Sequence, residues 1–378
     1  FLLCGTREEG AARAWDYHQA GMDLPLLQPI VQEEEQTREV LAAAVDYGTE
    51  GRAMPVLTPA TAMAAAADLD RDQLSWGQRL ARHTGAWFEI SRPFSLTASS
   101  VPVAAGGALA LINGAFTWWL FVLALAGGVL LQVGTNVINE IYDVRQGIDS
   151  ITTPRASHAL LKGRLSEKEA FVLAWLAFDT ATAIGVALIL FRGWPVIVLG
   201  SLGLIGGLGY TAPPFQYKFH ALGVPLVFLL MGPLMVSGAY YVVSDSFDAQ
   251  TFAVSIPVGL LVAAILHGNE WRDISDDARA GIMTPSIMFG RRWAHLGYVG
   301  LVLGAYMALA MAVAVRALPP LALLPVLSLP LLVRNIRASE LASTGLQRAI
   351  AMIDLQTAQL HAAFGFLLAL GLALAAIH

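Results

Sequence analysis

Nine stretches of mostly apolar residues follow one another along the chain after Arg92, and their lengths constrain the fold more than any other feature. The hydrocarbon core of a bilayer is roughly 30 Å thick, so a helix needs about 20 apolar residues to cross it. Charged residues make up only 13% of the chain, which is far below the share in soluble domains. We therefore predict an all-α, polytopic membrane bundle of about nine transmembrane helices. The stretches cover residues 94–114, 117–139, 168–191, 194–213, 221–243, 251–268, 293–315, 317–334 and 356–377.

Lysine and arginine are concentrated in alternate connections between these stretches. The connection between the third and fourth stretches has Arg192 as its only cation, and Arg316 is the only one between the seventh and eighth. Because cytoplasmic loops are enriched in Lys and Arg, we predict that the richer connections face the cytoplasm of a multi-pass protein in the cell (inner) membrane. No nucleic-acid partner is expected. The richer connections contain Arg145, Arg155, Lys162, Arg164 and Lys168 between stretches two and three, and Arg272, Arg279, Arg291 and Arg292 between stretches six and seven.

The first 74 residues have a different character from the rest of the chain. Residues 1–48 alternate helix-like and strand-like patterns, and residues 49–74 are rich in Ala and Thr without a period, as in a linker. The segments Cys4-Gly5-Thr6 and Leu27-Gln28-Pro29 resemble the C-terminal end of luciferase-like, flavin- or F420-dependent oxidoreductases. A complete barrel of that kind needs about 250 residues. We predict a small soluble α/β remnant without chemistry of its own, and the sequence leaves open whether it belongs to a larger fusion.

Two segments at the ends of apolar stretches carry half of the acids of the membrane part. On a helix, Asn136, Asn139, Glu140 and Asp143 lie at positions i, i+3, i+4 and i+7, so they line one face. The second segment repeats this spacing with Asn269, Arg272, Asp273 and Asp276. Ionisable groups at membrane depth cost a few kcal/mol each and therefore require a compensating partner.

Carboxylates and amide oxygens without paired His or Cys make a hard oxygen site, which suits Mg²⁺. Two such faces opposite each other would hold a diphosphate between them. The cations Arg155, Lys162, Lys218 and Arg272 could neutralise the diphosphate as it leaves. We therefore predict Mg²⁺ as the cofactor.

Three other interpretations compete with this one. A single acid-rich helix end is more often a solvated cap than a metal site, but two with matched spacing on one side favour metal binding. A non-catalytic polytopic transporter would hold its acids near mid-membrane at interrupted helices, whereas here they lie at helix ends. A binding protein that has lost its activity would keep the same motifs.

The motifs resemble those of the UbiA superfamily of intramembrane prenyltransferases, and the resemblance covers residues from about Ser75 to the end. The first motif is Asn139-Glu140-x-x-Asp143, followed by Asp149, and the second is Asn269-x-x-Arg272-Asp273-x-x-x-Asp277. Between them, the segment from Tyr210 to Lys218 resembles a loop in which a Tyr and a Lys contact substrate.

The resemblance implies a helical bundle around a central cavity that opens sideways to lipid. In that cavity an allylic diphosphate would ionise and an electron-rich aromatic ring would capture the allylic cation. The implied partners are a polyprenyl diphosphate, an aromatic acceptor and membrane lipid. The implied metal ligands are Asn139, Glu140, Asp143, Asp149, Asp273 and Asp277. The implied catalytic residues are Asn139, Asp143, Asp273, Asp277 and Tyr210, and the implied diphosphate contacts are Asn136, Arg155, Lys162, Lys218, Asn269 and Arg272.

Within the superfamily the chain most resembles the 1,4-dihydroxy-2-naphthoate polyprenyltransferases of menaquinone synthesis. Four positions depart from that pattern: Glu140 stands for Asp, His158 for Arg, Glu270 for a second Asn, and Gly223-Val-Pro225 for Gly-Leu-Gly-Glu. The acceptor therefore stays open, and the alternatives are 4-hydroxybenzoate, a haem, a chlorin or a glycerol phosphate. The prenyl chain length and the oligomeric state are not predicted.

Overall fold

The computed structural model describes residues 76–145, 158–161, 163–210, 214–279 and 281–377. The remnant and linker predicted for residues 1–74 lie outside these ranges, and so do Asp149, Arg155 and Lys162. What the sequence predicts for them stays a prediction.

Fourteen α-helices make up most of the described part of the chain, which contains no β-strand beyond one isolated parallel bridge between His220 and Met283. The helices are α1 Trp76–Ile90, α2 Thr97–Ile112, α3 Trp118–Arg145, α4 His158–Leu161, α5 Glu167–Arg192, α6 Pro195–Leu208, α7 Gly223–Leu229, α8 Met235–Ser244, α9 Gln250–Arg272, α10 Ile274–Arg279, α11 Pro285–Phe289, α12 Arg291–Ala314, α13 Leu329–Ser343 and α14 Ile353–Ala375. The 3₁₀ turns are Pro93–Leu96, Tyr217–Phe219, Pro320–Ser328 and Gln347–Ile350, and a π-helical turn, Leu230–Leu234, joins α7 to α8.

Among the residues that the structure describes, eight helical segments are long and apolar enough to cross a membrane, which confirms the predicted all-α membrane bundle. The ninth predicted stretch, residues 194–213, differs because it contains only the 14-residue helix α6. At about 1.5 Å per residue, α6 reaches roughly 21 Å. Pro213 and Pro214 follow it in the sequence, and a proline cannot donate the backbone hydrogen bond that would continue a helix.

Helix α9 lies at the centre of the bundle and is the most enclosed of the eight membrane segments. It packs against α12, α14, α7 and α2, and its buried apolar side chains form one continuous core with those of α12, α14 and α2. Large apolar side chains on the outside stay exposed, for example Leu190 and Trp194 at 80% and 71%. Such an apolar exterior is suited to lipid rather than to water.

The π-helical turn between α7 and α8 brings the backbone of this segment against α9. Pro233 lies within the turn and has no N–H to donate, which accounts for the local widening of the helix. A Cβ added at Gly232 would lie 2.9 Å from the Gly259 Cα and 2.9 Å from the Ser255 carbonyl oxygen. The two glycines therefore permit this close approach, and the turn directs Leu230 and Met231 toward the centre of the bundle.

We expect Gly232→Ala to destabilise the bundle by about 1–3 kcal/mol, because the new methyl group would meet backbone atoms that cannot move aside. Thermal unfolding of the purified protein in detergent should show a lower Tm. Gly238→Ala is the matched control, because a Cβ at Gly238 would lie 3.7 Å from its nearest neighbour, the Leu199 Cδ1. Equal Tm values for the two variants would contradict the close approach.

Candidate active site

A cavity of about 220 Å³ lies inside the bundle where the C-terminal ends of α3 and α9 meet. Its other walls come from the loop after α6, from α7 and the π-helical turn, from α10 and from the start of α14. Asn139 and Asp143 of the first motif thus line the same cavity as Asn269, Arg272, Asp273 and Asp277 of the second, although the motifs are more than a hundred residues apart, whereas Glu140 is not a lining residue.

One face of α3 shows how the cavity changes character along its length. Starting at Asp143, the lining residues step back through Asn139 and Asn136 to Gln132, Leu131 and Gly128. These positions follow helical spacing, so they form a single stripe. Gly128 and Asp143, at the two ends of this stripe, are fifteen positions apart, which corresponds to roughly 22 Å of helix. The cavity is therefore charged at one end and apolar at the other.

A second cavity, of about 290 Å³, adjoins the apolar end. The two share the lining residues Gly128, Leu131, Gly203, Leu230 and Met235. Its walls come from α3, α5, α6 and α8 and are almost wholly apolar. Together the two cavities form a long apolar space that begins at the charged end of the first cavity, and we call this charged end the chamber.

At the end of α3, Asp143 accepts a hydrogen bond from the Lys218 ammonium, with 2.7 Å between Nζ and Oδ1. Lys218 sits in the 3₁₀ turn after the Tyr210 loop, and its backbone N–H donates to the Tyr210 carbonyl oxygen at 3.1 Å. The Tyr217 hydroxyl donates to the Gly206 carbonyl and fixes the same turn to α6. The loop thus places the Lys218 ammonium beside the carboxylate of Asp143 from the first motif.

At the end of α9, the Arg272 guanidinium contacts both Asp273 carboxylate oxygens, at 2.7 and 2.6 Å. It also lies 2.7 Å from Oδ2 of Asp354, in the first turn of α14, and donates to the Asn269 amide oxygen at 2.5 Å. The predicted continuous face from Asn269 to Asp276 does not form, because α9 ends at Arg272 and Asp273 is its C-cap. The short helix α10 then brings Asp277 to the cavity.

The first motif is also tied to the turn between α1 and α2. The Arg92 guanidinium donates to the Glu140 carboxylate, with 2.8 Å between Nη2 and Oε2, and Glu140 is fully buried. The Asn136 amide donates to the Ser91 carbonyl at 2.7 Å and to the Ser95 hydroxyl at 2.9 Å. The roles of Glu140 as a metal ligand and of Asn136 as a diphosphate contact stay predictions, since both side chains already have partners in the protein.

The donor set at the charged end fits a magnesium ion. Within the described ranges, five acids line the cavity against three cations, so the chamber carries an excess of negative charge. No three acid, His or Cys side chains in the described part are already clustered as a metal site. Mg²⁺ does not need such a cluster, because it usually takes one or two carboxylates together with waters and substrate phosphates. The acids are Asp143, Glu270, Asp273, Asp277 and Asp354, and the cations are Arg92, Lys218 and Arg272.

Tyr210 lies on the cavity wall between the two motifs. Burial raises the pKa of its phenol well above the usual range, and the carboxylates of Glu270 and Asp143 raise it further. The phenol is therefore protonated at neutral pH and can donate a hydrogen bond to a substrate.

Most of the site residues predicted from the sequence and described by the structure meet at this cavity. Two further acids belong to it that the sequence analysis had not placed there, Glu270 and Asp354. An isolated acid at the start of an apolar stretch was the available signal for Asp354, since ionisable residues in membrane segments are commonly functional. The predicted residues that line the cavity are Asn136, Asn139, Asp143, Tyr210, Lys218, Asn269, Arg272, Asp273 and Asp277.

Comparisons with known proteins agree with this geometry. A model of the UbiA prenyltransferase family matches residues 99–351. The 1,4-dihydroxy-2-naphthoate octaprenyltransferase of Bacillus subtilis strain 168 is 29% identical over 285 residues, which cover 75% of this chain and 91% of that protein. The 1,4-dihydroxy-2-naphthoate octaprenyltransferase of Mycobacterium tuberculosis H37Rv is 31% identical over 218 residues, which cover 57% of this chain and 73% of that protein.

A solved structure shares the fold. The apo structure of a UbiA homologue from Aeropyrum pernix K1 superposes with a TM-score of 0.56 at 20% sequence identity, covering 74% of this chain and 97% of that one. The chain therefore has the same helical fold as that structure.

Proposed function

Because the chain belongs to the UbiA prenyltransferase family, we propose that it transfers a polyprenyl group from an allylic diphosphate to 1,4-dihydroxy-2-naphthoate, with Mg²⁺ as cofactor. Family membership identifies the chain as a prenyltransferase and removes the transporter alternative. The names of the bacterial relatives support the choice of acceptor.

The observation that carries the proposal is the cavity that is charged at one end and continues into an apolar space. A polyprenyl diphosphate has the same division, because its diphosphate is strongly anionic and its tail is a hydrocarbon. The diphosphate would lie near Asp143 and Asp273, and the tail would extend past Leu131 and Leu230. This placement brings C1, where the reaction occurs, to the boundary between the two parts.

Each polar side chain of the chamber can then be given a task. Asn139, Asp143, Asp273 and Asp277 would hold Mg²⁺, which when bound supplies electrophilic pull on the leaving diphosphate. Lys218 and Arg272 would exchange their carboxylate partners for phosphate oxygens, because both form charge-assisted hydrogen bonds at the chamber wall. The C1–O bond breaks, the diphosphate leaves with the electron pair, and a ring carbon of the acceptor bonds to C1. That carbon then releases the group it carried, as H⁺ or as CO₂ where it bore the carboxyl group, and the ring becomes aromatic again. The apolar walls keep water from the allylic cation.

The acceptor is tested by incubating membranes that contain the protein with a labelled long-chain allylic diphosphate and a panel of acceptors. The panel holds 1,4-dihydroxy-2-naphthoate, 4-hydroxybenzoate, a haem, a chlorin and a glycerol phosphate. We expect a prenylated product with the naphthoate, at a rate at least tenfold above that with any other member. Membranes without the protein are the control. If product forms only with another compound of the panel, that compound is the acceptor in place of the naphthoate, and the assignment as a prenyltransferase stands.

We further propose that the charged chamber faces the cytoplasm, since the connections at this end contain most of the Arg and Lys residues. The single cysteine, Cys4, makes a labelling test simple. In a Cys4→Ser background, a cysteine placed at the exposed His220, beside the chamber, should react with a membrane-impermeant thiol reagent only after the vesicles or cells are opened. Labelling of intact cells would show instead that the chamber faces the outside of the cell.

A further inference from the structure

Glu270 is a buried carboxylate without a hydrogen-bond partner in the described part of the protein. It lies in the last turn of α9 on the cavity wall, and only 4% of its surface is exposed. Neither Oε1 nor Oε2 accepts a hydrogen bond from any described group. Leaving a buried polar group unsatisfied costs free energy. A side chain in this state at a binding cavity indicates that a ligand supplies the missing donor.

Glu270, Leu266 and Tyr210 line one part of the cavity wall, and we call the space in front of them the slot. Gly223, the first residue of α7, packs against all three, because a Cβ added there would lie 3.0 Å from Glu270 Oε1, 3.3 Å from Leu266 Cδ2 and 3.6 Å from Tyr210 Cε2. The slot is therefore lined by one carboxyl group, one leucine side chain and one aromatic ring. Flat apolar walls with one hydrogen-bond acceptor suit an aromatic ring that carries a hydroxyl group.

The cations Lys218 and Arg272 donate no hydrogen bond to Glu270. Lys218 binds Asp143, and Arg272 binds Asp273 and Asp354. The charges of Asp277 and Lys218 both act on Glu270, in opposite senses. Because Glu270 and Asp277 are both acids, the slot is suited to a hydrogen-bond donor and unsuited to the carboxylate of an aromatic acid.

We propose that Glu270 accepts a hydrogen bond from a ring hydroxyl of the aromatic acceptor and so selects hydroxylated acceptors in one orientation. This inference rests on the proposed prenyl transfer to an aromatic ring. A hydrogen bond from the hydroxyl to a carboxylate also raises the electron density of the ring, which makes its carbon a better nucleophile toward C1. The carboxyl group of a hydroxynaphthoate would point away from Glu270.

Kinetics of the full-length protein in detergent test the inference with Glu270→Gln. The substrates are the acceptor from the panel that gives most product and its mono-O-methyl ethers, which lack one hydroxyl donor each. For Glu270→Gln we expect the acceptor KM to rise about 10- to 100-fold. The KM for the prenyl diphosphate and the Mg²⁺ requirement should stay unchanged. The wild-type protein should discriminate against one of the two ethers, and the variant should lose most of that discrimination.

Two further variants keep the test decisive. Gly223→Ala places a methyl group 3.0 Å from Glu270 Oε1, which should displace the Glu270 side chain and raise the acceptor KM while leaving the prenyl diphosphate KM as it is. Glu340→Gln makes the same chemical change at an exposed residue of α13 and should leave both constants unchanged. If Glu270→Gln unfolds, Gly223→Ala alone still tests the slot.

The outcomes separate this inference from the proposed function. If the wild-type protein prenylates no aromatic acceptor, the proposed function fails. If it does so and Glu270→Gln keeps both the acceptor KM and the discrimination between ethers, the inference is overturned. A raised Mg²⁺ requirement in Glu270→Gln with an unchanged acceptor KM would also overturn it, and would make Glu270 a metal ligand.

Discussion

Asp143→Asn and Asp273→Asn are each expected to lower the rate of prenyl transfer about 10³-fold. Each change removes one anionic oxygen ligand from the charged end of the cavity and keeps the size of the side chain. The metal that these carboxylates would hold contributes several kcal/mol to the departure of the diphosphate, and about 1.4 kcal/mol corresponds to a tenfold change in rate. The measurement is formation of labelled product at saturating acceptor, together with Mg²⁺-dependent release of diphosphate.

In each of these variants a buried cation, Lys218 or Arg272, loses a carboxylate partner, which could destabilise the fold. The Tm of both variants must therefore be measured. Lys218 would face an amide in Asp143→Asn, and Arg272 would keep Asp354 in Asp273→Asn. Asp245→Asn is the matched control, because Asp245 has a left-handed backbone that Asn also adopts and its side chain is 58% exposed at the end of α8. If both cavity variants keep a wild-type Tm and release diphosphate at the wild-type rate, the catalytic assignment is abandoned.

Removal of divalent metal should abolish prenyl transfer, with a loss of more than about 10²-fold in excess EDTA. Addition of Mg²⁺ beyond the chelator should restore the rate. Ca²⁺ should restore much less, because it prefers more ligands at longer distances than a compact diphosphate site offers. The Tm should change little, since the hydrophobic core lies between helices and needs no ion. Activity that persists after exhaustive chelation would contradict a metal-dependent mechanism.

The membrane architecture could be predicted because it depends on local properties of the sequence. A helix must satisfy its own backbone in lipid, so the length of an apolar stretch is sufficient to predict a span. The face of α3 that carries Asn139 and Asp143 follows in the same way from helical spacing. The short helix α6 is the exception, since its glycines and the prolines after it limit its length more than its hydropathy indicates.

The remainder of the site depends on contacts between distant parts of the chain, which spacing does not reveal. The sequence predicts a continuous helical face through Asp276, but α9 ends at Arg272, whose side chain is held by Asp273 and Asp354. The pair of Arg272 with Asp354 joins residues more than eighty positions apart. The missing partner of Glu270 could likewise be recognised only once its surroundings were known.

The contact between Arg272 and Asp354 also has a consequence for how the protein is made. Translation delivers α9 to the membrane well before α14, so the growing polypeptide holds Arg272 for a time without its partner from the last helix. An arginine short of one of its counterions is costly at the edge of a bilayer. Docking of the final helix completes both the bundle and the chamber. Polypeptides that stop short of Asp354 should therefore mature poorly and be degraded during biogenesis instead of accumulating as inactive enzyme.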